Sequence, residues 1–512
     1  MTPLPGGAPS TPPMSTAPPW TGLSVEEPAD NRALAATALV AAATDVAVRA
    51  GVDGLAGATL VAVVAGSLLA SRRLVNRQAQ AAMLVAPIFG MWLAARSSPW
   101  LLALDAVSVA ALLLLGTSLS RGGSILDLHI PGLFRRCLHA VAHGAAGPLF
   151  MLGRVRLTRS RRGLAVLRGL ILATPLVLVL GLLLSSADAV FASFFRLPLD
   201  PLSLAEHGLA LALGAWVMAG LLRLSSAAPL GHAAPRPARL GRAETLTVLA
   251  CLDGLYTAFA VAQLVALSSG GKRVIETAGL TYADYARNGF FQLLAVAGLT
   301  LAVLLALATS RPGVGSDFEG QNGNRSGWPT PVAPAAFRRA FVVLAEVAIG
   351  LTLVIVVVAL RRLHLYEQAF GLTMLRLYSS VFATWIAAAF VLLGLVVAGF
   401  GRGRSWFVPA AATLGLAGVL TLNAVNPEAL VVRHNVTHAE RTGRFDADYA
   451  ARLSADAVPA LTAALPRLDH LDPDTMARVL ADLCAPRPRV RGWLSYNASF
   501  DAAVEARNRV CP

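Results

Sequence analysis

Charge is scarce in this chain: Asp, Glu, Lys and Arg make up 14% of its 512 residues and 56% are hydrophobic, where a soluble domain carries about 25% charged residues. The shortage excludes an ordinary soluble protein and points to an integral membrane protein, as does a mean hydropathy of +0.62. Lysine is almost absent. Lys272 is the only one, so arginine supplies nearly all of the positive side of a formal charge of +14. The arginines cluster at the ends of apolar runs, which fits orientation in a membrane better than nucleic-acid binding.

Signatures of known chemistry are missing too. There is no Walker A loop, no GxSxG nucleophile elbow and no HExxH, so no catalytic residue, cofactor site or metal site is assigned. A multi-pass lipid-linked sugar transferase would carry paired acids in its first outer loop, where only Asp53 lies. His139 with His143, and His434 with His438 and Glu440, have helical spacing. A zinc site needs three or four ligands, so interfacial or surface histidines are the simpler reading. No internal repeat is found. No basic n-region precedes a short apolar h-region, so a cleavable signal peptide is not expected and insertion falls to the first transmembrane helix.

Long apolar runs, by contrast, fill the middle of the chain. A helix needs roughly 17 to 25 mostly apolar residues to cross the hydrocarbon core. Such runs occur near 33–48, 53–70, 79–95, 100–118, 165–184, 203–222, 244–267, 289–308, 338–360, 378–399 and 406–424. The expected fold is therefore an all-α polytopic helix bundle of about eleven spans. Residues 1–32, rich in Pro, Ser and Thr, read as a disordered cytoplasmic tail, 33–425 as the transmembrane domain, and 426–512 as a small helical extracytoplasmic segment. Within the membrane domain a basic segment at about 119–163 and a flexible loop at about 309–336 fall on the cytoplasmic side. Alternation over an odd number of spans then sends the C-terminus outside. "LRRLHLYEQAFGLTMLRLY" runs against the rule, because it puts Arg361, Arg362 and Arg376 outside.

Two predicted outer stretches are unusually polar. "GLTYADYARNGFFQLL", from Gly279, carries Tyr282, Asp284, Tyr285 and Arg287; the other carries Tyr366, Glu367, Arg376 and Tyr378. Both read as short interfacial helices leading into a span, with tyrosines at headgroup level. Anchoring alone is the simplest account of them. Together with "LLSSADAVFASFF", which contains Asp188, and "NPEALVVRHN", which runs from Asn426 to Asn435, these stretches form an ordered set of four motifs. The set resembles the bacterial membrane families called domains of unknown function 4153 and 4173. The resemblance implies a multi-pass bacterial membrane protein and supplies no catalytic residues. In the predicted topology all four motifs lie on, or just beneath, the outer face.

Ionisable side chains within spans are costly unless they face a cavity or a partner. Asp45, Asp105, Asp253 and Glu346 are those acids. They suit a proton or cation pathway, or else they are neutral or hydrogen-bonded and hold helices together. Pro87 with Gly90, Pro175 with Gly181, and Pro409 with Gly415 and Gly418 interrupt spans, as ordinary kinks or as openings for an ion. Cys137 and Cys251 should be free thiols, whereas Cys484 and Cys511, in the tail, are placed where a disulfide could persist.

Three functions remain open at this level: a transporter-like protein using the intramembrane acids, a non-catalytic scaffold or signalling partner using the outer motifs and the tail, and an intramembrane enzyme. The expected partners are the lipid bilayer and a protein or envelope component, with no nucleic acid; the oligomeric state is not readable.

Overall fold

The computed structural model describes residues 25–128, 130–152, 201–228, 241–268, 282–309, 335–400, 406–468, 473–485 and 492–511. The span expected at 165–184, the motif "LLSSADAVFASFF" and Asp188 lie outside the described residues. Among those described, the chain is all-α; an isolated antiparallel bridge between Val25 and Ala227 is its one β feature.

The first helices run α1 (Asn31–Ala50), α2 (Leu55–Ala70), α3 (Arg77–Trp92), α4 (Pro99–Ser118), α5 (Ile130–Ala145), α6 (Gly147–Leu152) and α7 (Pro201–Ser225). Next come α8 (Arg242–Ser268), α9 (Tyr282–Thr309), α10 (Ala335–Phe370), α11 (Met374–Val397) and α12 (Phe407–Val425). A C-terminal set follows: α13 (Pro427–Thr442), α14 (Ala447–Ala451), α15 (Val458–Leu468), α16 (Pro473–Cys484) and α17 (Ala498–Asn508). Among the described residues, eight helices are long and apolar enough to cross a membrane: α1, α4 and α7 to α12. The predicted spans at 53–70 and 79–95 form α2 and α3, each of 16 residues, about 24 Å long at 1.5 Å per residue. The chain is thus a polytopic membrane helix bundle.

Local chemistry sets the breaks between helices. Asp30 caps α1 by accepting from the Ala33 amide at 2.9 Å, and Asn76 caps α3 through the Gln78 amide at 2.9 Å. Pro99 opens α4, where a missing amide hydrogen costs nothing. Helix α10 has no proline and continues for 36 residues until Gly371, whose φ is +75°. At about 54 Å it outruns a hydrocarbon core of about 30 Å. The segment "LHLYEQAF" is therefore the end of α10 and not a separate helix, because nothing before Gly371 breaks the ladder. Likewise α9 runs unbroken from Tyr282, so "YADYARNG" forms its first turns.

Three large cores and one small one, of Leu372, Met374 and Val431, organise the described residues. Leu68, Met83, Phe89, Met218 and Leu222 centre the first, among α1–α4, α6 and α7. Leu249, Phe290, Ile355, Phe390 and Leu393 centre the second, among α8–α11. Helix α12 joins the two: Leu416, Val419 and Leu420 pack on the first core, and Ala411 accepts from Trp385 Nε1 of α11 at 3.1 Å. The third core, with Val436, Leu461, Leu468, Val479 and Ala503, belongs to the C-terminal segment.

The two ends of the bundle are tied off differently. At one, buried Arg73 donates to Asp30 Oδ1 and to the Pro28 carbonyl, both at 2.9 Å. Arg121 pairs there with Glu26 at 2.7 Å and Glu27 at 2.5 Å, tying the chain before α1 to the ends of α2, α4 and α7. The opposite end carries the C-terminal segment.

Candidate functional site

The C-terminal segment is fastened to the bundle by buried polar groups, and their partners are the turns between helices. The amides of Ser97 and Ser98, at the start of α4, both donate to Asp456 Oδ2, at 3.0 and 2.8 Å. The Ser499 hydroxyl donates to its other oxygen. A carboxylate suits this place because the first amides of a helix lack partners and carry its positive dipole end. Arg96 stands 3.9 Å from Asp456 and donates through Nε to the Asn423 carbonyl at 2.9 Å. Asn423, near the end of α12, in turn donates to Asp105 Oδ1 at 2.8 Å.

Asn426 makes the corner between α12 and α13. It takes a left-handed conformation with φ 57°, which Asn tolerates better than most residues, caps α13 through the Ala429 amide at 3.2 Å, and donates to the Asp456 carbonyl at 3.0 Å. Two residues on, Glu428 Oε2 accepts from the Ser454 amide and hydroxyl, each at 2.7 Å. Burial pushes the Glu428 carboxyl above the usual range, against the opposing pull of the Ser454 and Ser98 hydroxyls. Asn497 closes the joint by donating to the carbonyls of Asp53 at 2.6 Å, Leu93 at 3.1 Å and Arg96 at 2.9 Å. Asp105 and Asn423 are 0% exposed and Glu428 and Asp456 2%, so their cohesion depends on these bonds and not on solvent.

Two of the family-like motifs meet here. Asn435, ending "NPEALVVRHN", accepts from the Leu372 amide at 2.7 Å and donates to the Leu372 carbonyl at 2.8 Å. This fixes the α10–α11 turn, which the Met374 amide also ties to the Tyr449 hydroxyl at 2.7 Å. Arg376 donates to the Gly371 carbonyl and lies 4.2 Å over the Tyr366 ring. Glu367 receives the Ser380 hydroxyl at 3.5 Å and stands 3.7 Å from His364. Tyr378 stacks on Trp100 at 5.2 Å, and Glu428, Asp105 and Asp456 all act electrostatically on its buried hydroxyl. Tyr282, Asp284, Tyr285 and Arg287 open α9, and their side chains lie outside the described residues.

The four intramembrane acids do not form a set. Asp45 pairs with Arg49 and with His207, both at 2.7 Å, and Asp105 belongs to the joint. Asp253 lies on the buried stripe of α8 with Thr245, Leu249 and Tyr256, and neither carboxylate oxygen has a hydrogen-bond partner. Glu346 sits beside Gly394 of α11. Among the described residues no hydrogen bond or ion pair joins any two of the four.

His139 and His143 are in contact at 3.1 Å, and Arg223 reaches His143 at 3.1 Å. Among the described residues no group of three or more His, Cys, Asp or Glu side chains is placed to hold a metal ion. Cys484 and Cys511 are bonded, with Cα atoms 5.5 Å apart, linking α16 to the end of the chain. Cys137 and Cys251 are free and exposed. A cleft of about 450 Å³ runs between α13 and α15, lined by small residues, Ala429, Ala460 and Ala464 among them, with Arg433 and Arg467, and also by Asn426 and Asp456.

Sequence reasoning missed most of the joint. Glu428 stood inside a quoted motif, but the bonds that Ser97, Asp456 and Asn497 make across the joint leave no local signal, since those partners lie hundreds of residues away.

A family model described as Domain of unknown function (DUF4153) matches residues 35–314 and 330–464. No curated protein and no solved structure matches the chain.

Proposed function

The chain belongs to the DUF4153 family, and we propose that it is a scaffold of the bacterial cell membrane whose outward-facing platform holds a partner protein or envelope component. The observation that carries this reading is the joint. Two motif stretches and the C-terminal segment are locked together by buried and half-buried side chains on one end of the bundle. A rigid presentation of α13 to α17 is what such a joint achieves.

The orientation has the N-terminus in the cytoplasm and the C-terminal segment outside. Arg135 and Arg136 follow the end of α4 opposite the joint, as positive charge on the cytoplasmic side requires. The Cys484–Cys511 bond suits an oxidising compartment. Between α13 and α15 the cleft has small walls and an exposed arginine, Arg433, while Arg467 is held by Glu440 at 2.7 Å. An anionic group on the partner fits that lining.

Transport is the second reading, and Asp253 favours it, because a buried carboxyl without a partner is a place for a proton to come and go. The two separate in a strain lacking the protein. Asp253→Asn with Glu346→Gln should restore wild-type behaviour, and a chain truncated after Val425 should insert but fail. Loss of function in the acid variant at normal protein level, with function kept by the truncated chain, would replace the scaffold by a transporter.

A further inference from the structure

Helix α5 is amphipathic the wrong way round for a segment in water. At about 100° per residue, Leu133, Phe134, Cys137, Leu138 and Val141 share one face, and all five are exposed, Phe134 by 66% and Val141 by 71%. The opposite face is polar and turned onto the bundle. From it Arg136 donates to the Ser118 carbonyl at 2.8 Å, and His143, wholly buried, contacts His139 and Arg223, each at 3.1 Å. A helix between protein and water turns its apolar face inward and its polar face out.

The points where α5 is anchored fix its depth. Ser118 is the last residue of α4 and Arg223 lies in the last turn of α7, both at the end of the bundle opposite the joint. Arg136 and His143, about 10 Å apart along the helix, both reach span ends, so α5 runs along that end of the bundle and not through the bilayer. Beyond it α6 packs deeper. A Cβ on Gly147 would stand 2.5 Å from the Gly220 nitrogen, about 8 Å inside the end of α7. Trp216, itself 51% exposed, donates from Nε1 to the Gly144 carbonyl at 3.0 Å. That carbonyl is one of the last four of α5, which have no partner within the helix. Water would serve it in solution, whereas hydrocarbon demands a donor from the protein.

We infer that α5 lies sideways in the lipid leaflet at the end of the bundle opposite the joint, with Phe134, Leu138 and Val141 among the acyl chains. An interfacial helix buries its apolar face about 5–10 Å into the boundary between headgroups and chains, the depth that the Gly147–Gly220 contact marks. A protein partner is the poorer occupant, since the face offers no charged side chain to fix a register, and α4 and α7 beside it already turn Val107 and Leu209 outward as spans do. The inference goes beyond the platform reading and holds whichever side of the membrane the platform faces.

A nitroxide on the native Cys137 tests it, in the full chain carrying Cys251→Ser, with the Cys484–Cys511 bond intact and the protein reconstituted into phosphatidylcholine vesicles. Val75→Cys, in a chain that also carries Cys137→Ser and Cys251→Ser, supplies the water-facing reference: Val75 is 75% exposed in the turn between α2 and α3, at the same end of the bundle. The expected result is that the label on Cys137 collides with oxygen, which concentrates in hydrocarbon, and loses contact with a water-soluble nickel chelate that reaches the label at position 75. Equal access of the chelate to both positions would put the face in water. Shielding of Cys137 from oxygen and chelate alike would put protein over it, whether a second copy or another part of this chain. Either result overturns the inference.

Discussion

Asn435 grips Leu372 by both polar ends of its amide, accepting from the backbone N–H at 2.7 Å and donating to the carbonyl at 2.8 Å. A single side chain on α13 thereby imitates a strand partner for the turn between α10 and α11. Neither half of the contact can be replaced by solvent without opening the seam between membrane bundle and C-terminal segment. Asn435→Ala should cost about 1–3 kcal/mol, the range for stranded buried donors and acceptors. Gly371→Ala should also destabilise, since Gly371 has φ +75° and an added Cβ would stand 2.8 Å from Asn435 Oδ1. Both should lower the unfolding midpoint with helix content unchanged in circular dichroism; a wild-type midpoint for Asn435→Ala would count against the grip.

Asn497 serves three carbonyls, those of Asp53, Leu93 and Arg96. Asn497→Ala should therefore free the last helix without unfolding the bundle. Hydrogen exchange should quicken over 492–511 and stay slow in α1 to α4. Uniform exchange across both regions would show that the contact is not what holds the segment down.

The cysteines offer a chemical test. In denatured, unreduced protein, a maleimide polymer should add to Cys137 and Cys251 only, and after reduction to all four. Cys484→Ser with Cys511→Ser should cost about 3.5 kcal/mol by the loop-closure model for a closed loop of this length. Four labelled thiols before reduction would refute the bridge.

Glu428 should make stability depend on pH. Its folded pKa is raised above the ordinary 4.5 by burial, so the folded chain keeps the proton where the unfolded chain has lost it. Stability should fall as pH rises from about 4.5 to the folded value, and level off above it. Glu428→Gln, which can still accept from Ser454, should flatten that slope. An unchanged slope would place the titrating group elsewhere.

Much of the bundle was legible because crossing a bilayer demands long apolar runs, and those leave a plain mark: α4, α10 and α11 fall where hydropathy put them. Helix ends were harder. "LHLYEQAF" read as a short interfacial helix apart from the span before it, yet with no breaker ahead of Gly371 α10 continues through it. The stretch ending at Asn435 drew notice as one of the four motifs of the resemblance, but its grip on Leu372 could not be read, since a contact across 63 residues leaves no local period. Asp456 was less visible still. An acid in a mixed helical tail looks like a solvated face, and only folding brings it onto the amides of Ser97 and Ser98. Asp45, marked as an intramembrane acid, proved to have His207 as a partner from a distant helix.

The most direct measurement is the location of the C-terminus, with one reporter active only outside the cytoplasm and another active only inside, each fused after Pro512. An outward-facing platform requires activity from the outside reporter alone, with Arg73 and Arg121 left on the cytoplasmic side. Activity from the inside reporter would contradict it, because the joint, the cleft and the Cys484–Cys511 bond would then face the cytoplasm.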